Sequence, residues 1–246
     1  MAHLNNKNQL IGSLGNLVFK IVKGKMVIQT KPERKNIKQT KHTKSAASDF
    51  GSSSHITKKI NSGMQEFVQN YHSSDMHNRL RTKILRAMRF QSALPLGRKN
   101  LWDGTPKLLE GFEFNTASKY NEFSELNLIN WQVDEQHRIG FQQQRFIPKK
   151  HLHWLPFTGQ VEVCYWLSAF RKSDYKPYQQ ELFKLEVRPN YTEVPLQTFQ
   201  SNPFPVNSLV IISAGLLYYK EDPVLGKLLL NGKTCHPVRI VKVIKL

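Results

Sequence analysis

The chain has 246 residues, 39% of them hydrophobic, and 36 Lys/Arg against 18 Asp/Glu give it a formal net charge of +18. That length supports one large domain or two small ones, and the apolar share excludes a wholly disordered chain. Two cysteines, Cys164 and Cys235, exclude a disulfide framework, and no apolar run reaches the length of a bilayer-spanning helix.

The charge is unevenly placed. Residues 1–100 hold 19 Lys/Arg and 4 Asp/Glu, a net of +15, whereas residues 101–246 hold 17 and 14, a net of +3. A one-sided excess of this size repels itself unless an anionic partner neutralises it or the charges form a well-solvated face. Nucleic acid, an acidic protein surface and anionic lipid all satisfy the first condition. The N-terminus shows no secretory pattern, because Gly15, Asn16 and Lys20 interrupt its apolar segment. The expected setting is therefore cytoplasmic, with free thiols by default and pairing of Cys164 with Cys235 left open.

In chain order, Leu17–Val22 reads as a strand, Lys23-Gly24-Lys25 as a turn and Met26–Thr30 as the returning strand. Such a hairpin is marginal alone and must lean on something. Residues 31–44 (KPERKNIKQTKHTK) carry six Lys/Arg, one His and one acid around a single apolar Ile37, so an extended arm is expected. Ser45–Ser54 reads as a small polar connector. Ile56, Ile60, Met64, Phe67, Val68 and Tyr71 then step by three or four, the mark of a helix with one apolar face. Ser73-Ser74 interrupts the pattern and offers N-cap oxygens to a second helix, striped by Met76, Leu80, Ile84 and Met88 and ending before Pro95.

From about Leu101 the texture becomes β. Candidate strands are Gly111–Asn115, Leu126–Val133, Arg138–Phe146, Val161–Phe170, Leu182–Val187, Ser208–Lys220, Lys227–Leu230 and Val238–Ile244. This spacing suggests an antiparallel sandwich or barrel, and the lack of βαβ alternation argues against a parallel nucleotide-binding sheet.

Three kinds of chemistry have plainer explanations. The run from Gly226 to Thr234 resembles a phosphate loop, but its glycine spacing is one residue too long and no helix follows. A turn with Asn231-Gly232 at its tip explains it better. His151, His153 and Cys235-His236 do not make a metal-ligand pattern, and no Gly-x-Ser-x-Gly elbow or useful carboxylate pair is present. No cofactor, metal or catalytic residue is implied. The cations are the remaining candidates: Lys31, Arg34, Lys35, Lys38, Lys41 and Lys44 on the arm, and Arg79, Lys83 and Arg86, which share a helical face. Side chains of this kind neutralise phosphates and give salt-sensitive, sequence-independent affinity. Tyr71, Phe90 and the His151–Phe157 stretch are places where an aromatic ring near cations could stack on a base.

One further pattern lies in the front segment. Ile11-Gly12-Ser-Leu-Gly15-Asn16-Leu-Val-Phe19, Lys23-Gly24-Lys25, Thr30-Lys31-Pro32, Lys38-Gln39-Thr40 and Ser45-Ala46-x-x-x-Phe50-Gly51 resemble a group of uncharacterised proteins of Bacteroidetes. The likeness covers roughly residues 10–60. It implies a bacterial source, a glycine-containing basic hairpin used as a unit and a variable β-rich rear part, and it brings no catalytic residues.

The expected architecture is α+β: a basic N-terminal hairpin and arm over 1–50, a helical hairpin over 51–95, and an antiparallel β-sandwich over 101–246. The expected function is non-enzymatic, largely sequence-independent association with nucleic acid. The rival is a structural or assembly protein, phage-like or filamentous, whose hairpin and arm dock onto neighbouring subunits in a homo-oligomer, without membrane insertion.

Overall fold

The computed structural model describes residues 1–22, 24–31 and 39–246. The chain divides into two compact units, Met1–Lys44 and Ser45–Leu246. Arg34, Lys35 and Lys38 lie outside the described residues.

The first unit is an antiparallel meander of β1 (His3–Leu4), β2 (Leu10–Leu14), β3 (Leu17–Val22) and β4 (Lys25–Thr30), in that spatial order. Strands β3 and β4 pair as a hairpin, and β2 and β1 extend it by two further strands. Register fixes the two faces. Phe19 sits opposite Ile28, Ile21 opposite Met26, Leu14 opposite Leu17 and Leu4 opposite Leu10. Paired residues share a face, so these eight apolar side chains lie on one side of the sheet. Val18, Lys20, Val22, Lys25, Val27 and Gln29 lie on the other. No described residue before Lys41 is buried.

The second unit is built on a five-stranded antiparallel sheet. Its central strands are β7 (Gln160–Arg171) and β10 (Ser208–Asp222), with β8 (Pro177–Val187) flanking β7. The long β10 carries β12 (Val238–Lys245) along residues 209–215 and β11 (Gly226–Leu229) along 219–222. Both central strands are almost wholly buried, which means that both faces of the sheet are covered. A three-stranded sheet, β5 (Leu128–Val133), β6 (Ile139–Gln143) and β9 (Gln197–Gln200), in the order β5-β6-β9, covers one face. Phe141, Tyr165, Leu167, Ile212 and Tyr218 fill the layer between.

The other face is covered by helices α1 (Lys41–Val68) and α2 (Met76–Arg89), whose apolar stripes meet Trp166, Phe170, Leu209, Ile211 and Ile240. The segments expected as a separate helical hairpin and β domain therefore share one core. Two glycines allow the close approach. A Cβ on Gly63 would lie 2.7 Å from the Phe170 ring, and one on Gly215 would lie 2.7 Å from Phe67. The Gly63 carbonyl accepts hydrogen bonds from Trp166 Nε1 at 3.0 Å and Gln180 Nε2 at 2.9 Å. Two short helices, α3 (Tyr120–Phe123) and α4 (Pro148–His151), and a 3₁₀ turn (Pro106–Leu109) complete the unit.

Several expectations need correction. The connector Ser45–Ser54 is helical, part of α1. Ser53 and Thr57 bond back to the carbonyls of Phe50 and Ser53, and buried Asp49 accepts the backbone N–H groups of Gly97 and Lys99. Tertiary anchoring overrides the weak helix propensity of Ser and Gly. The Ser73-Ser74 cap is replaced by Asp75 as N-cap, without a side-chain capping bond. Gly111–Asn115 is not a regular strand: it joins the edge of β12 through one bridge, Glu113 to Arg239. Finally, Lys233-Thr234 rather than Asn231-Gly232 forms the turn tip, since Gly232 pairs with Cys235.

Asn231 is buried instead and organises a polar knot. Its Oδ1 accepts the Tyr218 N–H, while its Nδ2 donates to the Leu216 carbonyl and to His236 Nδ1. His236 Nδ1 is thereby an acceptor, so Nε2 carries the proton and donates to the Phe67 carbonyl at 2.9 Å. Burial holds the His236 pKa below its ordinary value. This knot fastens the end of α1 to the turn before β12. Both cysteines are free thiols, and burial pushes Cys164 up to about 12.

Candidate polyanion-binding surface

The expected cations separate into two groups. In the first unit Lys31, Lys41 and Lys44 are exposed. Lys41 and Lys44 lie in the first turn of α1, which has no acidic residue, and Thr40 Oγ1 accepts the Thr43 N–H there at 3.2 Å. Cations at a helix N-terminus oppose its dipole at a cost of about 0.3–1 kcal/mol each. The same arrangement concentrates positive potential at one place.

On α2, Arg79, Lys83 and Arg86 line one groove of about 580 Å³, together with Asp75, Asn78, Thr82 and Leu108. The fold already uses two of the three cations. Arg79 donates to the Glu113 carbonyl at 2.9 Å, to Ser73 Oγ at 2.7 Å and to Asp75 at 3.1 Å, and its guanidinium lies over the Phe112 ring. Lys83 Nζ donates to the Glu110 carbonyl at 3.0 Å, and burial followed by repulsion from Arg239 lowers its pKa. Both side chains tie α2 to the segment 110–114. That segment bonds in turn to β12, through Gly111 N–H to the Ile240 carbonyl and Phe114 N–H to the Val238 carbonyl. Arg86 is exposed and also lines a second groove with Arg89 and Phe90.

A cleft that sequence reasoning missed lies between the 3₁₀ turn, β5 and β12. It measures about 620 Å³ and is lined by Lys107, Lys242 and Lys245 with Gln91, Thr105 and Trp131, and no acidic side chain is among its lining residues. Beside it, the Trp102 ring has Lys245 Nζ at 5.8 Å and Lys172 Nζ at 4.8 Å. Lys242 and Lys245 are three apart, a spacing that separates them on a pleated strand. Both nevertheless line the cleft, which lies at the edge of β12 beyond the stretch that residues 110–114 cover. Only the local density of Lys in the last strand could have signalled it.

A neighbouring cavity of about 660 Å³, on the other side of Trp131, differs in charge, with Glu110, Glu125 and Arg239 in its lining. Here Glu113 pairs with Arg239 at 3.7 Å and accepts the Tyr120 N–H at 3.0 Å, while burial raises its pKa. These contacts hold α3 against β12. Of the aromatic residues singled out in the sequence, Tyr71 packs edge-on against His236, whereas Phe90 and Phe157 are exposed.

Among the described residues no group of three His, Cys, Asp or Glu side chains is placed to hold a metal ion, and no helix is long and apolar enough to cross a membrane. Comparison with known proteins gives no significant match to a family model, a curated protein or a solved structure.

Proposed function

We propose that this chain is a non-enzymatic polyanion-binding protein of the cytoplasm that associates with nucleic acid through its phosphates, largely regardless of base sequence. The observation that carries the reading is the acid-free cleft of Lys107, Lys242 and Lys245 on a chain of net charge +18. Arg86 in the large unit and Lys31, Lys41 and Lys44 in the front unit are further exposed cations. Arg79 and Lys83, committed to backbone carbonyls, position α2 and leave phosphate contact to the other cations. The test is fluorescence anisotropy with labelled single- and double-stranded oligonucleotides of unrelated sequence. Binding should weaken by orders of magnitude between roughly 50 and 200 mM salt and differ little among sequences. Absence of binding at the lower salt refutes the reading.

A second reading, a structural or assembly role, is favoured by a different observation: the apolar face of the Met1–Thr30 sheet has no buried residue. The separate compactness of Met1–Lys44 supports treating the front segment as a unit, as the likeness to the Bacteroidetes group implies.

A further inference from the structure

We infer that the apolar face of the N-terminal sheet packs against the same face of a second copy of this chain, so that the protein is a dimer. The inference specifies the partner in the assembly reading. Leu14, Leu17, Phe19, Ile21, Met26 and Ile28 share one face through the register of β2, β3 and β4. Among the described residues that face carries no charged side chain, yet Leu14 is 62% exposed, Met26 52% and Ile28 54%. A single-layer sheet in a unit of 44 residues buries too little to be stable alone. Something covers this face when the protein works.

Three features select a second copy. A sheet face apolar from strand to strand can pack on a copy of itself about a two-fold axis, and two such faces stack about 10 Å apart in aligned packing. Lys20 and Lys25 lie on the reverse face. In the stacked pair they are separated by roughly 20 Å, well beyond the ~8 Å screening length at physiological salt, so like charges do not oppose the contact. A lipid surface is disfavoured because the outer edge of β4, which pairs with no other described strand, would bring backbone groups into hydrocarbon. Counting Leu4 and Leu10, which share the face, and about 200 Å² for a fully exposed large apolar side chain, the pair buries on the order of 1,300 Å², at the lower end of specific interfaces.

The test is light scattering after size exclusion on the full chain, nuclease-treated and in high salt, over a range of concentrations. Wild type should run at twice the monomer's 28.6 kDa. Met26→Lys with Ile28→Lys should run as a monomer at the same concentration, and Val22→Lys, on the reverse face, should remain a dimer. A thermal melt of each variant checks that the large unit is still folded. A wild-type monomer at every concentration overturns both the inference and the assembly reading. A dimer or larger particle that survives the Met26/Ile28 double substitution overturns the inference alone.

Discussion

Replacing Gly63 by alanine sets helix propensity against packing, and the structure decides the sign. In an unobstructed helix the change stabilises by about 0.8–1.0 kcal/mol. Here the new Cβ would lie 2.7 Å from Cε1 and Cζ of Phe170 and 2.8 Å from Ser168 Oγ. Phe170 and Ser168 are both fully buried, so neither can move aside. Restoring an ordinary carbon contact of about 3.5 Å needs α1 to lift by nearly 1 Å. Such overpacking costs about 1–3 kcal/mol. The lift also stretches the bonds from Trp166 Nε1 and Gln180 Nε2 to the Gly63 carbonyl, each worth about 1 kcal/mol. Subtracting the propensity gain leaves a net loss of about 2 kcal/mol, or about 4–8 °C in Tm for a unit of this size. Thermal and urea unfolding followed by circular dichroism measure it. An unchanged or raised Tm would show that α1 does not seat on the sheet at Gly63.

The remaining predictions concern the polar knot, the cations of α2 and the N-terminal sheet. Because the folded pKa of His236 is depressed, the unfolded chain binds the extra proton first, so stability is present above about pH 6.5 and falls below it, by at most about 1.4 kcal/mol per pH unit. Urea midpoints between pH 7.5 and roughly 5.5 should fall for wild type and fall less for His236→Gln, which starts lower; equal slopes would show that the fold does not hold the His236 imidazole neutral. Arg79→Gln should cost about 1.5–3 kcal/mol in chemical denaturation by stranding the Glu113 carbonyl, while exposed Arg86→Gln should stay within about 0.5 kcal/mol. Equal effects would mean that Arg79 does not tie α2 to the 110–114 segment. Met26→Lys with Ile28→Lys should leave the thermal midpoint of the large unit within about 2 °C of wild type, because these residues lie outside its core.

The helical face of α1 and α2 was legible because a step of three or four residues is a long, redundant signal. Strands β7 and β10 were legible for the same reason, being long and bounded by turn residues. The polar start of α1 was not, since Asp49 and Ser53 gain their bonds only after folding. Strand β9, four residues long, and the two-residue β1 carry too little pattern to stand out. The candidate site was legible only in its charge. Sequence places Arg79, Lys83 and Arg86 on one face, but the carbonyls that occupy Arg79 and Lys83 come from residues about 30 positions away. The cleft of Lys107, Lys242 and Lys245 joins residues more than 130 apart, a closure that no local pattern announces.

The most direct test of the polyanion reading compares the salt dependence of duplex binding for wild type and for Lys107→Gln, Lys242→Gln, Lys245→Gln combined. Each phosphate contact contributes about 0.9 to the slope of log affinity against log salt. The account predicts that the triple variant, still folded by its melting curve, loses roughly two to three of these units and binds at least tenfold more weakly at fixed salt. An unchanged slope with unchanged affinity would contradict it and remove the cleft from the binding surface.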